Sequence, residues 1–252
     1  MHPLTVALPI ALSGAAGLVA YGAAYPRAQL FGPTLCRTAS PRQLAITFDD
    51  GPNPAITPQL LDLLARYDAR ATFFLIGRYV RQSPELVREI AARGHAIGNH
   101  TETHANLFWC GPARLRAELG RCQEAIAAVL GAPPLLLRPP YGFRSPFLDA
   151  AARAAGIRRV VMWTLLPHDW YPQPAEPLIR RMQPVARRAQ GARQGAPPRS
   201  GGDILCLHDG DHRRPGGDRR HTLAALEYWL PRWRDLGLEF VTIPAIAGEG
   251  PR

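Results

Sequence analysis

Histidines and carboxylates occur in this sequence at spacings that suit metal-assisted hydrolysis. His100 and His104 are four residues apart, which on a helix would place two imidazoles one turn apart. Asp49 and Asp50 are adjacent, and His208 lies in a third motif near the end of the chain. Two histidines and one carboxylate form a three-ligand site with an open position, the arrangement of a hydrolytic metal. A second carboxylate can then take a proton from water, and a separate histidine can protonate a leaving nitrogen.

Taken singly, these motifs have plainer explanations. The segment Asp49–Pro52 (DDGP) is typical of a turn, and a histidine pair often belongs to a surface or a core. Arg138–Gly142 (RPPYG) could be a rigid turn with a solvated arginine. The HExxH motif of zinc proteases is absent, because Thr101 follows His100. A functional interpretation therefore depends on whether the fold brings the motifs together.

The apolar pattern predicts seven short strands with helices between them. The strands are Leu44–Phe48, Ala71–Ile76, His95–Gly98, Leu135–Leu137, Arg159–Trp163, Ile204–Leu207 and Glu239–Ile243. Apolar faces and the Ser-Pro and glycine signals of helix ends predict the main helices over 83–94, 115–129, 145–156, 177–189 and 223–233. The segment GARQGAPPRSGG predicts a mobile loop. Strands that alternate with helices predict a parallel sheet in a single α/β domain, closed or nearly closed into a barrel.

Each polar motif comes soon after one of these strands. The motifs DDGP, HTETH, RPPYG, DW and HD follow the runs LAITF, HAIGN, LLL, VVMW and ILCL, respectively. In a parallel α/β barrel the carboxyl ends of the strands meet at one rim, where active sites are built. We therefore expect all five motifs at the same rim.

Five ordered motifs resemble those of the polysaccharide deacetylase family, which has the NodB homology domain and is also called carbohydrate esterase family 4. They are TFDDGP (Thr47–Pro52), HTETH (His100–His104), RPPYG (Arg138–Gly142), DW (Asp169-Trp170) and LHD (Leu207–Asp209). The resemblance implies a distorted (β/α)7-type barrel. It implies a hydrolase that removes N-acetyl groups from N-acetylhexosamine residues of a polysaccharide or glycan and releases acetate. It also implies a divalent metal, Zn²⁺ first, with Co²⁺ or another divalent ion as alternatives.

The resemblance gives a role to residues in three of the motifs. Asp49 resembles the catalytic base, and Asp50, His100 and His104 resemble the metal ligands. Arg138 is similar to the arginine that holds the base charged and oriented.

The remaining matches concern the acid and the pocket. His208 resembles the catalytic acid, and Asp169 resembles the carboxylate that pairs with it. The backbone N–H of Tyr141 resembles an oxyanion-hole donor, and Trp170 resembles a wall of the acetate pocket.

Several positions fit the family pattern less well. Leu166 stands where the family often has an aspartate, and Cys206 stands where a leucine commonly lines the acetyl pocket. The smaller Cys206 side chain could loosen that pocket or admit another acyl group. Cys110 and Cys122 could form a disulfide in an oxidising compartment.

Thirty basic residues, all of them arginines, give the chain a formal net charge of +10. Codon bias toward arginine accounts for this charge, or else the chain is attracted to an acidic polymer or an anionic lipid surface. No nucleic-acid-binding motif is present, so no nucleic-acid partner is expected. His95, His168, His212 and His221 match no catalytic role. His212 and His221 lie in the arginine-rich segment DGDHRRPGGDRRH, which we interpret as a solvated loop rather than a grip for a charged substrate.

An uncharged apolar segment precedes the motifs. Residues 3–25 carry no charge, and as a helix they would rise about 34 Å, enough to cross a bilayer. We predict a membrane anchor or signal segment over 1–26, a connector over 27–42, the catalytic domain over 43–246 and a tail over 247–252. The predicted location is the cell envelope, with the chain membrane-anchored or secreted. The first arginines follow the apolar run, which for an uncleaved anchor favours the cytoplasmic side, so the orientation stays open.

Two other functions fit the sequence less fully. A hydrolase of a small non-sugar amide or imide on the same fold would have a closed pocket instead of an open groove. A non-catalytic carbohydrate-binding protein has only the positive charge in its favour and would tolerate the loss of Asp49.

Overall fold

The polar motifs are positioned by one curved sheet of parallel strands. The computed structural model describes residues 3–194 and 200–243, with the backbone alone for 3–13 and 192–193. The strands in these residues are β1 (Thr34–Leu35), β2 (Gln43–Gly51), β3 (Ala71–Leu75), β4 (Ala96–Asn99), β5 (Leu136–Leu137), β6 (Arg159–Val161), β7 (Asp203–His208) and β8 (Glu239–Phe240). Their order is β1-β6-β5-β4-β3-β2-β7, and β8 pairs with the first residues of β2. The chain is a single-domain α/β half-barrel.

This sheet differs from the predicted barrel in two respects. β1 lies inside the segment predicted to be a connector, where two residues are too few to give an apolar pattern. Closure is incomplete, because the edge strands β1 and β7 do not pair with each other. Isolated bridges from Arg37 to Asp203 and from Leu165 to Leu205 join the two sides instead.

The helices follow the strands along the chain, and all but the first pack against the outside of the sheet. They are α1 (Pro3–Ala24), α2 (Thr57–Arg66), α3 (Gly77–Gln82), α4 (Pro84–Ala92), α5 (Pro112–Leu130), α6 (Leu148–Ala154), α7 (Ala175–Arg193) and α8 (Arg220–Asp235). The predicted helices 83–94, 115–129 and 223–233 correspond to α4, α5 and α8. Pro84 begins α4, and Gly131 ends α5 in the left-handed conformation that favours glycine.

β2 is the central strand and carries the first motif. Every residue from Leu44 to Gly51 is buried. Leu44, Ile46 and Phe48 pack with α2 and α8 in the main core, whereas Ala45 packs with the smaller cluster inside the half-barrel. Both faces of a parallel sheet are covered, which is why β2 is mainly apolar from Leu44 to Phe48, with Thr47 as the one polar side chain.

The segment after β6 pairs with the first part of β7 and then runs toward its carboxyl end, where Asp169 contacts His208. The backbone N–H of Thr164 donates to the Ile204 carbonyl over 2.9 Å, and that of Cys206 donates to the Leu165 carbonyl over 3.0 Å. This path brings the DW motif beside the carboxyl end of β7, although β6 itself ends at Val161, two residues before the predicted end.

The end of the N-terminal helix is bound to the loop that follows the RPPYG motif. The backbone N–H of Arg144 donates to the Ala23 carbonyl over 3.1 Å. Its guanidinium donates to the Tyr25 carbonyl over 2.5 Å and to the Ala28 carbonyl over 2.7 Å. Arg144 is 1% exposed, so these carbonyls replace water as its acceptors.

The apolar segment forms helix α1, but no helix in the part of the chain whose side chains are described is long and apolar enough to cross a membrane. Much of the predicted anchor falls on residues 1–13, which lie outside that part.

The C-terminal third departs from the prediction at the start of the expected loop. Helix α7 continues to Arg193, so the first residues predicted to form a mobile loop are helical instead. The middle of that predicted loop, 195–199, and the predicted tail, 247–252, lie outside the described residues.

All four cysteines are buried free thiols, so no disulfide joins Cys110 to Cys122.

Candidate active site

A carboxylate and two imidazoles meet at the carboxyl ends of β2 and β4. The Nε2 atoms of His100 and His104 lie 3.4 and 3.1 Å from Asp50 Oδ1, and all three side chains are buried. The expected helical spacing of the two histidines is wrong. They lie in a loop in which Thr101 (φ 67°) and His104 (φ 62°) adopt the left-handed conformation, so the backbone folds back instead of winding forward. The Thr101 hydroxyl accepts the His104 N–H over 3.0 Å and holds this turn.

These three residues fit a divalent metal ion. Asp50 Oδ1 is buried without a hydrogen-bond partner among the described residues. His100 Nδ1 lies 2.7 Å from the Arg138 carbonyl, and a proton on Nδ1 leaves the Nε2 lone pair facing Asp50. Although burial favours the protonated acid, the facing histidines hold the pKa of Asp50 well below its usual range. Burial lowers the pKa of His104, which favours the neutral ring that a metal requires. Two neutral imidazoles and one carboxylate are a typical ligand set for zinc.

Asp49 points to the other side of β2 and has a buried cation as its partner. Arg138 Nη1 donates to Asp49 Oδ1 over 2.9 Å, and the Cys206 thiol donates to Asp49 Oδ2 over 3.3 Å. Burial and the charge of Asp49 raise the pKa of Cys206 well above its usual value, so the thiol stays protonated as a donor. Both carboxylate oxygens of Asp49 therefore accept hydrogen bonds.

Arg138 is held rigidly from several directions. It is fully buried, and its guanidinium also donates to the Thr47 hydroxyl over 2.5 Å and to the Met162 carbonyl over 3.2 Å. Its guanidinium carbon lies 4.3 Å from the centre of the Phe74 ring. A fork fixed in this way gives Asp49 one orientation.

His208 and Asp169 form a second charged pair at the end of β7. His208 Nδ1 donates to Asp169 Oδ1 over 2.7 Å, and the His208 backbone N–H donates to Oδ2 over 2.8 Å. Asp169 Oδ2 also accepts from Thr222 over 2.9 Å. Burial disfavours the charged imidazole, yet the Asp169 carboxylate outweighs burial and raises the pKa of His208 to about 9. His208 is therefore protonated at neutral pH, and its Nε2 donor has no hydrogen-bond partner in the part of the chain that the structure describes.

A cavity of about 420 Å³ joins both sides of the site. The residues predicted to line the substrate pocket are in its wall, namely Tyr141, Trp170 and Cys206. Tyr141 has a left-handed backbone (φ 57°), which turns the RPPYG loop toward the metal-binding residues, and its ring packs against His104 with centroids 4.6 Å apart. Asp49, Asp50, His100, His104 and His208 line the same cavity, so the fold brings together the residues predicted for the base, the acid and the metal.

One histidine that lines the cavity was not identified as a site residue from the sequence. His212 was interpreted as part of a solvated loop, but its ring stacks on His104 with centroids 4.3 Å apart, and it lies in the cavity wall. Its place four residues after the predicted acid was the one available signal. Of the other histidines, His95 accepts from the start of β3 through Nδ1 over 3.1 Å, and His221 lies 2.8 Å from the Asp169 carbonyl.

The chain is similar to known deacetylases over most of its length. A family model described as polysaccharide deacetylase matches residues 37–160. A peptidoglycan-N-acetylglucosamine deacetylase of Bacillus cereus is 37% identical over 201 residues, which cover 79% of this chain and 85% of that protein. A chitooligosaccharide deacetylase of a Bradyrhizobium species is 37% identical over 215 residues, covering 81% and 90%. A solved structure of a peptidoglycan N-acetylglucosamine deacetylase, in complex with 4-naphthalen-1-yl-N-oxidanyl-benzamide, matches with a TM-score of 0.72 and 28% identity, over 84% of this chain and 91% of that one.

Proposed function

The chain belongs to the polysaccharide deacetylase family, and we propose that it is a metal-dependent hydrolase that removes N-acetyl groups from N-acetylhexosamine residues of a glycan. The observation that carries the proposal is the grouping of the polar residues around one cavity. A carboxylate oxygen of Asp49, the sulfur of Cys206 and a ring nitrogen of His208 lie within 4.8 Å of one another. Asp50, His100 and His104 line the same cavity. Amide hydrolysis needs a base, an acid and a group that withdraws charge from the carbonyl, and each has a candidate here.

The residues of this chain divide the work as follows. Asp50, His100 and His104 would hold the divalent ion, most simply Zn²⁺, which when bound supplies Lewis acidity toward the acetamide carbonyl. Asp49, oriented by Arg138, accepts a proton from the water molecule whose oxygen bonds to the carbonyl carbon.

The tetrahedral state then breaks down with the help of two further groups. The backbone N–H of Tyr141 donates to the carbonyl oxygen as it becomes negative. His208 gives its Nε2 proton to the amide nitrogen, the C–N bond breaks, and acetate leaves with the free amine on the sugar. Trp170 and Cys206 line the space for the acetyl methyl group.

The experiment that tests this function is acetate release from a panel of peptidoglycan, chitin oligomers and an acetylated exopolysaccharide. We expect acetate from at least one of them, its loss after chelation, and its recovery when Zn²⁺ or Co²⁺ is added. Release unaffected by chelation would contradict metal dependence. No release from any glycan by the metal-loaded enzyme would favour a small amide or imide as substrate. Glycan binding without turnover would favour a non-catalytic carbohydrate-binding protein.

We also propose that the chain acts in the cell envelope, either membrane-anchored or secreted. The support is the nature of its relatives, one of which is named for peptidoglycan. Cell fractionation with an antibody to the chain tests this location, and recovery in the cytoplasmic fraction alone would contradict it.

The pH dependence of activity should depend on Asp169. His208 must carry a proton to act as the acid, so activity is present below its pKa and is lost as the pH rises through it. A metal ion beside Asp50 would offset acidic charge that raises this pKa, so the alkaline limb of the loaded enzyme should lie at or below pH 9. We expect Asp169→Asn to move that limb to lower pH by roughly one to two units, because the raising charge is gone.

The matched control for this prediction is Thr222→Val, which removes one hydrogen bond to Asp169 and no charge. Its alkaline limb should move less than that of Asp169→Asn. The profile of kcat/KM against pH measures both limbs, and an Asp169→Asn limb that coincides with the wild type would exclude His208 as the acid.

A further inference from the structure

His212 faces the side of Asp50 that the two predicted histidine ligands leave free. His100 and His104 both approach Oδ1, whereas His212 Nδ1 lies 3.7 Å from Oδ2. Ligand atoms of Asp50, His104 and His212 lie within 4.8 Å of one another. Three imidazoles therefore surround one carboxylate. The third, His212, lies outside all five of the motifs that resemble the family.

Several contacts hold the His212 ring in this position. It stacks on His104 with an interplanar angle of 20°, and its Nε2 lies 3.4 Å from the Tyr141 hydroxyl. The loop that carries it is fastened to α3, because Arg78 donates to the His212 carbonyl and the Tyr79 hydroxyl donates to the Asp211 carbonyl over 3.0 Å. A solvated loop would need none of these contacts.

The orientation of the ring suits a metal ligand better than an ion pair. The 3.7 Å between Nδ1 and Asp50 Oδ2 is longer than a hydrogen bond, and the side chain is still 29% exposed. If Nε2 donates to the Tyr141 hydroxyl, the Nδ1 lone pair points into the space shared with Asp50. Neutral imidazole with its other nitrogen engaged in this way is the usual form of a histidine ligand.

We propose that His212 is a fourth protein ligand of the divalent ion, acting through Nδ1 when the cavity contains no substrate. This inference rests on the proposed function only for the presence of a metal, since it concerns which residues bind that metal. Because His212 lies in the cavity wall, a substrate that enters the cavity would displace it from the metal ion. The fourth coordination position would then be available for the reaction.

The test measures metal binding without any substrate. We expect His212→Ala to raise the Kd for Zn²⁺ at least about tenfold in a competition titration against a chromophoric chelator. The visible absorption of the Co²⁺-loaded protein should change too, because its intensity and position report the number of ligands. His168→Ala is the matched control, since it removes another histidine at the rim that has no contact with Asp50 among the described residues.

A second variant separates ligation from packing. His212→Phe keeps a ring that can stack on His104 but has no nitrogen, so it should bind Zn²⁺ as weakly as His212→Ala. Zn²⁺ affinity and Co²⁺ spectra like those of the wild type in both variants would overturn the proposal. Affinity restored by phenylalanine would also overturn it, in favour of a stacking role. If both variants bind Zn²⁺ more weakly but the metal-loaded wild type releases no acetate from any glycan, His212 remains a ligand and the proposed deacetylase function fails.

Discussion

Asp49→Asn should lose roughly 10² to 10⁴-fold in kcat while the protein still binds its metal ion. Asparagine has nearly the same shape and can still accept a hydrogen bond from Arg138, but it cannot take a proton from water. Among the described residues, Asp49 forms no hydrogen bond or ion pair with His100 or His104, because its oxygens face Arg138 and Cys206. Acetate release measures the first effect, and metal content after dialysis measures the second.

A drop in kcat counts only if the variant is folded. Arg138 loses its buried counterion in Asp49→Asn, so thermal unfolding should be measured beside activity. If Asp49→Asn keeps activity within tenfold of the wild type, another group is the base. If it loses the metal ion as well, Asp49 belongs to the ligand set and the assignment of separate roles to Asp49 and Asp50 is wrong.

Arg138→Met should cause the largest loss of stability among single changes at the site. It leaves Asp49 buried without its cation and removes donors to Thr47 and to the Met162 carbonyl. Breaking a buried ion pair from one side costs about 3–5 kcal/mol, which lowers the midpoint of thermal unfolding by roughly 10 °C in a chain of this size. Methionine fills much of the arginine volume, so the loss reports charge and hydrogen bonds more than a cavity.

The control is Arg153→Met, which breaks an i,i+4 pair with Asp149 on the surface of α6. The Arg153 side chain is 67% exposed, and such pairs contribute at most about 1 kcal/mol. A cycle with Asp49→Asn adds a sharper comparison, because Arg138→Met should cost less once no charge is left unpaired. Equal melting temperatures for the Arg138→Met and Arg153→Met proteins would contradict the importance of the buried pair.

The sequence predicts the rim of this site well because the strands are locally encoded. The run from Leu44 to Phe48 is mainly apolar on both faces, and it stops where Asp49 must lie at the carboxyl end of β2. The same reasoning places His208 at the end of β7. Register then brings Asp49 opposite His208 without any information beyond the strand boundaries.

What the sequence could not supply is the path of the backbone between the strands. His100 and His104 look like a helical pair, but left-handed residues fold the loop back on itself. His212 looks solvated because its neighbours are arginines, and its contact with His104 depends on a loop held by α3. Such contacts join residues that are distant along the chain, so local pattern and charge do not reveal them.

Arg144 links the N-terminal segment to the active-site loop, so proteolytic removal of that segment would change the contacts of the loop. If a signal peptidase cut after residue 26, the Arg144 guanidinium would lose the Tyr25 carbonyl and its backbone N–H would lose the Ala23 carbonyl. Arg144 lies two residues after Gly142, in the same loop as Tyr141. A cleaved and an uncleaved form of this protein would therefore hold the Tyr141 loop with different numbers of hydrogen bonds, and the two forms need not turn over substrate at the same rate.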